Sequence, residues 1–324
     1  MKRAGWALLL VIAVAALGAP WLAPNPPNRR FDELLYAPPT RIHVLGDGLR
    51  APFVHPWRVR SLLERRFEEV EERRATLRWF TEGTLVTTRP DEAAPLLLLG
   101  ADGYGRDIFA RLLYGARATL ALAASATVIA TLLGAFMGAV AGYAGGWLDA
   151  ALSRLAEFVL VLPAIYVALA LRAVMPLVLP ATTVFLLLLA IFTLLGWPIV
   201  ARGVRAIVLG ERERDYAVAA RAAGASPLRL LARHLLPASS GYLQTQATLL
   251  LPAFILGEAT LSYVGLGFPD TTPTWGTMLQ EASNVALLGD APWTLAPAAA
   301  IFIVVLGVNL LVQSTGRAPV QLEP

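Results

Sequence analysis

Apolar residues along this chain fall in blocks of about 17–25, the length a helix needs to cross a hydrocarbon core of roughly 30 Å. The blocks are Trp6–Leu22, Ala118–Val140, Leu155–Val174, Leu177–Val200, Leu243–Val264 and Leu295–Val312. Each is a continuous apolar run, whereas the strands of a membrane barrel alternate apolar and polar residues and are only about 10 residues long. Met175, Pro176 and Pro180 predict a tight turn between the third and fourth blocks. The pattern predicts an all-α, polytopic membrane protein with six transmembrane helices. The first block, preceded by Lys2 and Arg3, also has the outline of a signal peptide. Its length, and the poor cleavage context that Pro20, Trp21 and Pro24 give the small residues Gly18 and Ala19, favour an uncleaved N-terminal helix over residues 1–22, anchored by Trp6 and Trp21.

Residues 23–95 interrupt the apolar pattern with a polar insert. It opens on a Pro/Asn cluster that resists regular structure. Further on, Ser61–Phe80 places Leu62, Leu63, Phe67, Val70 and Leu77 among Glu and Arg residues three or four apart. That spacing predicts an amphipathic helix with side-chain ion pairs.

Charge sets the orientation. The loop between Val200 and Leu243 carries Arg202, Arg205, Arg212, Arg214, Arg221, Arg229 and Arg233, and the loop between Val264 and Leu295 has no Lys or Arg. Short cytoplasmic loops are enriched in basic residues, so the first loop is expected inside and the second outside. Both termini then lie in the cytoplasm, and the insert is extracytoplasmic. Composition agrees with the class: 56% of the 324 residues are hydrophobic and 15% charged. There is no cysteine, which excludes disulfides and thiolate chemistry. His43, His55 and His234 show no metal-ligand spacing. Lys2 is the only lysine. A phosphate-binding P-loop needs Lys before Ser or Thr, so this chain is expected to hold no ATP, metal or other cofactor.

The basic loop has internal punctuation. Asp215–Ala223 is Ala-rich and favours a helix. Gly224 suits the left-handed cap that ends one. Ser226 then stands as an N-cap and Pro227 at the first turn of a second helix, predicted over Leu228–Leu236, with Pro237 starting the next span. The result is a rigid elbow of two short helices, suited to docking in a groove of a soluble partner.

Ala219–Pro237 resembles the "EAA" loop of ABC importer permeases: E-A-A, three residues, Gly, nine residues, an apolar residue, any residue, Leu-Pro. Ala219, Ala220, Gly224, Leu236 and Pro237 match; Val218 replaces the Glu, and His234 holds the apolar position. Asp215, Tyr216, Ala225, Ser226 and His234 complete a form similar to the dipeptide/oligopeptide branch. Two other segments are similar to that branch. Leu98–Leu120 matches its pre-span motif at Asp102, Gly105, Arg106, Asp107, Arg111, Gly115 and Arg117, and Leu261–Ala282 (LSYVGLGFPDTTPTWGTMLQEA) resembles its LSFLGLG…WGxML segment. The resemblance covers roughly residues 96–316.

The resemblance implies a type I importer, MetI-like permease fold over residues 96–317, with a coupling loop at 211–237 that receives the power stroke. It implies a pore subunit of a peptide importer that is not itself an enzyme. The expected partners are a second homologous permease, two cytoplasmic ATPase subunits holding ATP and Mg, and an external solute-binding protein; no nucleic acid is expected. Nickel or another non-peptide solute is the alternative cargo. From the residues themselves, Asp102–Asp107 reads as a local ion-paired turn or a contact for the binding protein. Glu258, ionisable within an apolar span, is a candidate for the pathway or an interfacial cap. Arg154 and Glu157 read as an i,i+3 pair. An ion-coupled secondary transporter would use midplane ionisable groups and inverted repeats, and a membrane enzyme a convergent catalytic set; the sequence offers neither.

Overall fold

A computed structural model describes residues 2–46, 48–61, 64–81, 83–88, 94–174 and 179–315. The expected turn at Met175 and Pro176, the block start at Leu177, and Leu62 and Leu63 lie outside these residues. The chain divides into two compact units. One comprises the chain up to Leu120 with Ser262–Leu311, and the other Ala121–Leu261 with the chain from Val312.

In the first unit, α1 (Lys2–Leu17) and α2 (Ala19–Leu22) form the N-terminal helix. Two glycines let α1 approach the last long helix, α13 (Ala296–Thr315): a Cβ on Gly5 would stand 2.8 Å from the Gly307 carbonyl oxygen. The insert that follows is built of strands: β1 (Ile42–Gly46), β2 (Gly48–Val54), β3 (Trp57–Ser61), β4 (Arg66–Glu69), β5 (Ala75–Thr76), β6 (Arg78–Thr81) and β7 (Thr84–Thr87). They pair antiparallel as β1-β2-β5, β3-β4 and β6-β7. Val54, Ala75, Leu77, Ala94 and Leu96 form its small core.

This corrects the helix expected over Ser61–Phe80, and with it a purely all-α architecture; the protein is mostly helical with a β insert. The physical reason is a second period in the same residues. Burial alternates along β3 (Trp57, Val59 and Ser61 inward) and along β4 (Phe67 and Glu69 inward), the two-residue repeat of a strand. The charges expected to pair along a helix pair across strands instead, as Arg60 does with Glu68.

The long helices are α3 (Ile108–Ala144), α4 (Gly146–Val161), α5 (Ala164–Val174), α6 (Ala181–Glu211), α10 (Ser240–Tyr263) and α13; α7 to α9 belong to the basic loop, and α11 (Trp275–Glu281) and α12 (Val285–Leu288) to the loop before α13. Among the described residues three stretches are long and apolar enough to cross a membrane: Ile108–Ala144, Ala181–Glu211 and Pro292–Val312. α3 begins ten residues before the expected span, because Asp107 caps it: Asp107 Oδ1 accepts from the amides of Phe109 (2.9 Å) and Ala110 (3.3 Å). The block expected as one helix over Leu155–Val174 is broken, and its halves meet at 87°. Pro163 explains the break: it has no N–H to donate and drives Leu162 into an extended conformation (ψ 114°).

In the second unit, the glycine stripe of α3 serves close packing, as its four-residue spacing suggests. A Cβ on Gly134 would lie 2.5 Å from Val200 Cβ and 2.6 Å from the Trp197 carbonyl oxygen, and one on Gly138 would collide with the Ala201 carbonyl. Arg205 pairs with Asp149 (Nη2–Oδ2 2.6 Å) and Arg212 donates to the Gly142 carbonyl at the end of α3 (3.0 Å). Arg154 and Glu157 form the expected i,i+3 pair at 3.9 Å. Overfilling such a contact costs about 1–3 kcal/mol. Gly134→Val is therefore expected to lower the thermal midpoint of the purified protein, whereas Gly210→Ala, facing open space, leaves it unchanged or slightly raised; a melting curve in detergent checks both.

Candidate functional site

The basic loop folds as the elbow that its residues predict. α7 (Asp215–Ala222) ends in a Schellman cap: Gly224 takes φ +83°, its amide donates to the Arg221 carbonyl (3.0 Å), and the Ala225 amide reaches back to Ala220 (3.0 Å). Ser226 Oγ then accepts from the Arg229 amide (3.4 Å), and Pro227 opens α8 (Pro227–Leu230). The second limb is not one continuous α-helix over Leu228–Leu236, as expected. Leu231–Leu235 is a π turn, and α9 (Leu236–Ala238) follows before Ser239 and α10. Pro237 accounts for this, since it cannot donate to the carbonyl four residues back; the Leu236 amide bonds instead to Leu231, five residues back.

The elbow has two faces. Ala217, Leu230 and Leu235 are fully buried. Asp215, Tyr216, Val218, Ala219, Gly224, Ser226, Leu228 and Pro237 are exposed, and Ala220, Ala225, His234 and Leu236 are half-buried. Leu228 is 76% exposed, an unusual place for a leucine on a short loop. The limbs are tied together where the Tyr216 ring meets the His234 ring at 6.3 Å. Tyr216 also donates to Glu211 Oε2 (2.6 Å), and that bond raises its phenol above the ordinary value. The surface is thus small, partly apolar and internally braced.

A second assembly lies in the other unit. Asp102, Gly105, Arg106 and Asp107 do form an ion-paired turn, but a larger one than a local motif. Asp102 Oδ1 accepts from the amides of Tyr104 and Arg106 (both 2.9 Å), and Gly105 takes φ +69° where any Cβ would strike the Phe31 carbonyl. The buried Arg106 guanidinium reaches Asp102 Oδ2 (2.7 Å), Asp270 Oδ2 (2.9 Å) and Glu281 Oε1 (2.6 Å). Arg111, also buried, meets the same Glu281 oxygen at 3.2 Å. Asp107 Oδ2 accepts from Asn25 Nδ2 (2.9 Å), which also donates to the Leu96 carbonyl (2.8 Å). The structure therefore joins the Leu98–Leu120 and Leu261–Ala282 segments through side chains.

Burial lowers the tendency of Arg106 to stay charged, yet Asp102 and Glu281 more than offset it and raise its pKa. Burial pushes Asp107 up to about 6 against its hydrogen bonds from Asn25 and the helix amides. Burial also favours a proton on Asp270, but Arg106 and Arg111 hold it below the carboxylate range. Glu281 is pushed up to about 8, by burial first and then by the Asp102 charge. Two guanidiniums thus face three carboxyl groups, and Glu281 is the one whose hold on a proton is strengthened most.

Asp270, Glu281 and Asn25 were not singled out by the sequence. A signal was present: the loop before α13 holds Asp270, Glu281 and Asp290 with no basic residue, so its acids must find arginines elsewhere. Asp290 does the same with Arg65 (2.8 Å). Glu258 is fully buried. Among the described residues no group of His, Cys, Asp and Glu could hold a metal ion.

The sequence pattern of the "binding-protein-dependent transport system inner membrane component" family matches residues 130–318, more than half of the chain and including the whole elbow. The chain belongs to this family. It is a transport component of the inner membrane, with no catalytic role of its own. Among the relatives of this permease, a putative peptide permease of Brucella ovis is 38% identical over 213 residues, covering 65% of this chain and 68% of that one. The oligopeptide transport system permease protein of Lactococcus lactis subsp. cremoris is 32% identical over 209 residues, 64% of this chain and 69% of its own. The di/tripeptide transport system permease protein of Pseudomonas aeruginosa is 31% identical over 308 residues, 95% of this chain and 83% of its own. That last match, at 95% of this chain, takes in the β insert as well.

The Glu281 proton makes a pH prediction for the permease. Between about 4.5 and 8 the unfolded chain has lost it and the folded chain keeps it. Fewer protons are bound in the unfolded state, so stability falls as pH rises through that window. Glu281→Gln is expected to remove this pH-dependent contribution. Melting wild type and variant in the same detergent from pH 5 to pH 8.5 measures it: the wild type loses ground relative to the variant as pH rises.

Proposed function

We propose that the permease is one of two pore-forming subunits of an ATP-driven importer for di- and oligopeptides, and that α7–α9 seat in a cleft of a cytoplasmic ATPase subunit. In this reading the chain crosses the membrane six times, with α1 and α10 among the spans, both termini inside and the insert outside. ATP and Mg are held by the ATPase subunits. An external binding protein delivers the solute to the outer face.

The observation that carries the reading is the braced elbow with its exposed Tyr216, Val218 and Leu228. A mere connector needs neither a Schellman cap nor a capped second helix. Docking of such a rigid block lets closure of the ATPases move the spans as bodies, through binding that favours one state over the other. Because Val218 stands where the family pattern has Glu, docking rests on shape and apolar contact, with Arg221 and Arg229 at the rim. Peptide cargo is supported by the relatives, named for peptides, dipeptides and oligopeptides. Nickel or another non-peptide solute is the competing cargo, and an ion-coupled secondary transporter the competing mechanism.

Proline cannot take φ +83°, so Gly224→Pro is expected to abolish uptake of a labelled tripeptide while insertion into the membrane stays normal. A bulky change at Ala220, such as Ala220→Trp, should do the same. Uptake in cells, with the membrane-inserted amount measured by immunoblot, checks this; full uptake at normal insertion would refute docking at the elbow.

A further inference from the structure

The strands of the insert differ in where their aromatic rings lie. Phe53 is buried, and Trp57 and Phe67 are half-buried. Trp79 and Phe80, neighbours on β6, are instead 53% and 81% exposed. A strand normally turns neighbouring side chains to opposite faces. Here the backbone leaves the extended region at Phe80 (φ +54°), a costly conformation for a bulky residue, and both rings are uncovered together. Arg78, beside them, is exposed as well. Strain and apolar exposure at one hairpin point to something that covers it.

The position of the hairpin says what that is. β7, paired with β6, packs on α2, and Thr87 Oγ1 donates to the Pro24 carbonyl just beyond α2 (3.2 Å). Leu10, Val14, Leu17 and Trp21 are all exposed and recur at the spacing of a single helix face. An uncovered apolar stripe therefore runs along α1 and ends on α2 at a tryptophan, the residue typical of a membrane–water interface. α3 gives the same level independently. Ala19 and Ala23 pack against Ala110 and Leu113. Leu113 precedes the apolar block at Ala118 by about 8 Å of helix, close to the thickness of one headgroup layer.

We propose that the β6–β7 hairpin rests on the outer surface of the bilayer, with Trp79 and Phe80 seated at the boundary between headgroups and acyl chains. Two aromatic rings gain from leaving water at that depth, and the Arg78 guanidinium meets lipid phosphates there in charge-assisted hydrogen bonds. The lipid contact of α1 thus continues onto the insert, which is held against the membrane rather than standing free of it. The proposal rests on the reading of α1 as a span with the insert outside, and its test separates the two.

Because the chain has no cysteine, single nitroxide labels can be placed at will. Trp79→Cys and Phe80→Cys are labelled one at a time in the full-length chain, in nanodiscs of phosphatidylethanolamine and phosphatidylglycerol. Arg58→Cys, exposed on β3, reports water, and Leu10→Cys reports whether α1 lies in the bilayer. The ratio of oxygen to nickel-chelate accessibility is expected to be severalfold higher at both hairpin labels than at Arg58→Cys, and highest at Leu10→Cys. A ratio at either folded hairpin variant no higher than at Arg58→Cys overturns the anchor. If Leu10→Cys then still reads as lipid, the span stands without it. A water-like ratio at Leu10→Cys rejects the span and the anchor together. Hairpin labels shielded from both reagents report a protein contact instead of lipid and also overturn the proposal. Melting temperature checks folding, and if one hairpin variant fails to fold, the other decides.

Discussion

A guanidinium buried in a poorly solvated interior must be matched by carboxylates, and Arg106 imposes that condition on half the molecule. It lies beside Arg111, and among the described residues the pair faces Asp102 from their own turn and Asp270 and Glu281 from far along the chain, with Arg111 Nε and Nη1 still lacking a hydrogen bond. Removing one member of such a set costs about 3–5 kcal/mol, because the charges left behind stay buried. The N-terminal end of α3 and the loop before α13 are therefore held as one piece. Trp275 reinforces the junction by donating its indole N–H to the Leu112 carbonyl (3.1 Å), and Gly115 leaves room for the chain at Thr274. The Asp107 cap, held from behind by Asn25, extends the same piece to the end of the N-terminal helix.

Much of this was legible in the sequence, and the rest was not for identifiable reasons. Caps are local, so Gly224, Ser226 and Pro227 announced the elbow. Pro163 and Pro237 were as visible as Gly224, yet their effects on the third span and on the second limb depend on how the neighbouring backbone responds. The insert failed for a different reason. Glu and Arg at three- or four-residue spacing satisfy a helix, but the same residues alternate in burial along β3 and β4, and only tertiary contacts choose between the periods. The charge cluster was half visible: the arginines belong to a motif, whereas their partners are recognisable only as acids in a loop without bases.

The two regions divide the labour that a transport component requires. The first unit presents ionisable and aromatic groups in a strand-built insert and a pinned loop before α13. The second presents a braced helical elbow with apolar side chains exposed on a loop rich in arginine. Lys2 is the only lysine, and a P-loop needs a Lys before Ser or Thr. In the proposed importer energy enters through the elbow, a surface stiff enough to transmit displacement. The Schellman cap and the Tyr216–His234 contact supply that stiffness within a few residues of α10.

The natural absence of cysteine allows the central claim to be tested at one atom. Leu228→Cys places the only thiol of the chain on the exposed tip of the elbow. In the assembled importer, a short thiol-directed photo-cross-linker at that position is predicted to capture the ATPase subunit, and a membrane-impermeant thiol reagent applied from outside should not reach it. Capture of no ATPase in an assembled, transport-competent complex, or labelling of Leu228→Cys from the outside of intact cells, would contradict the account.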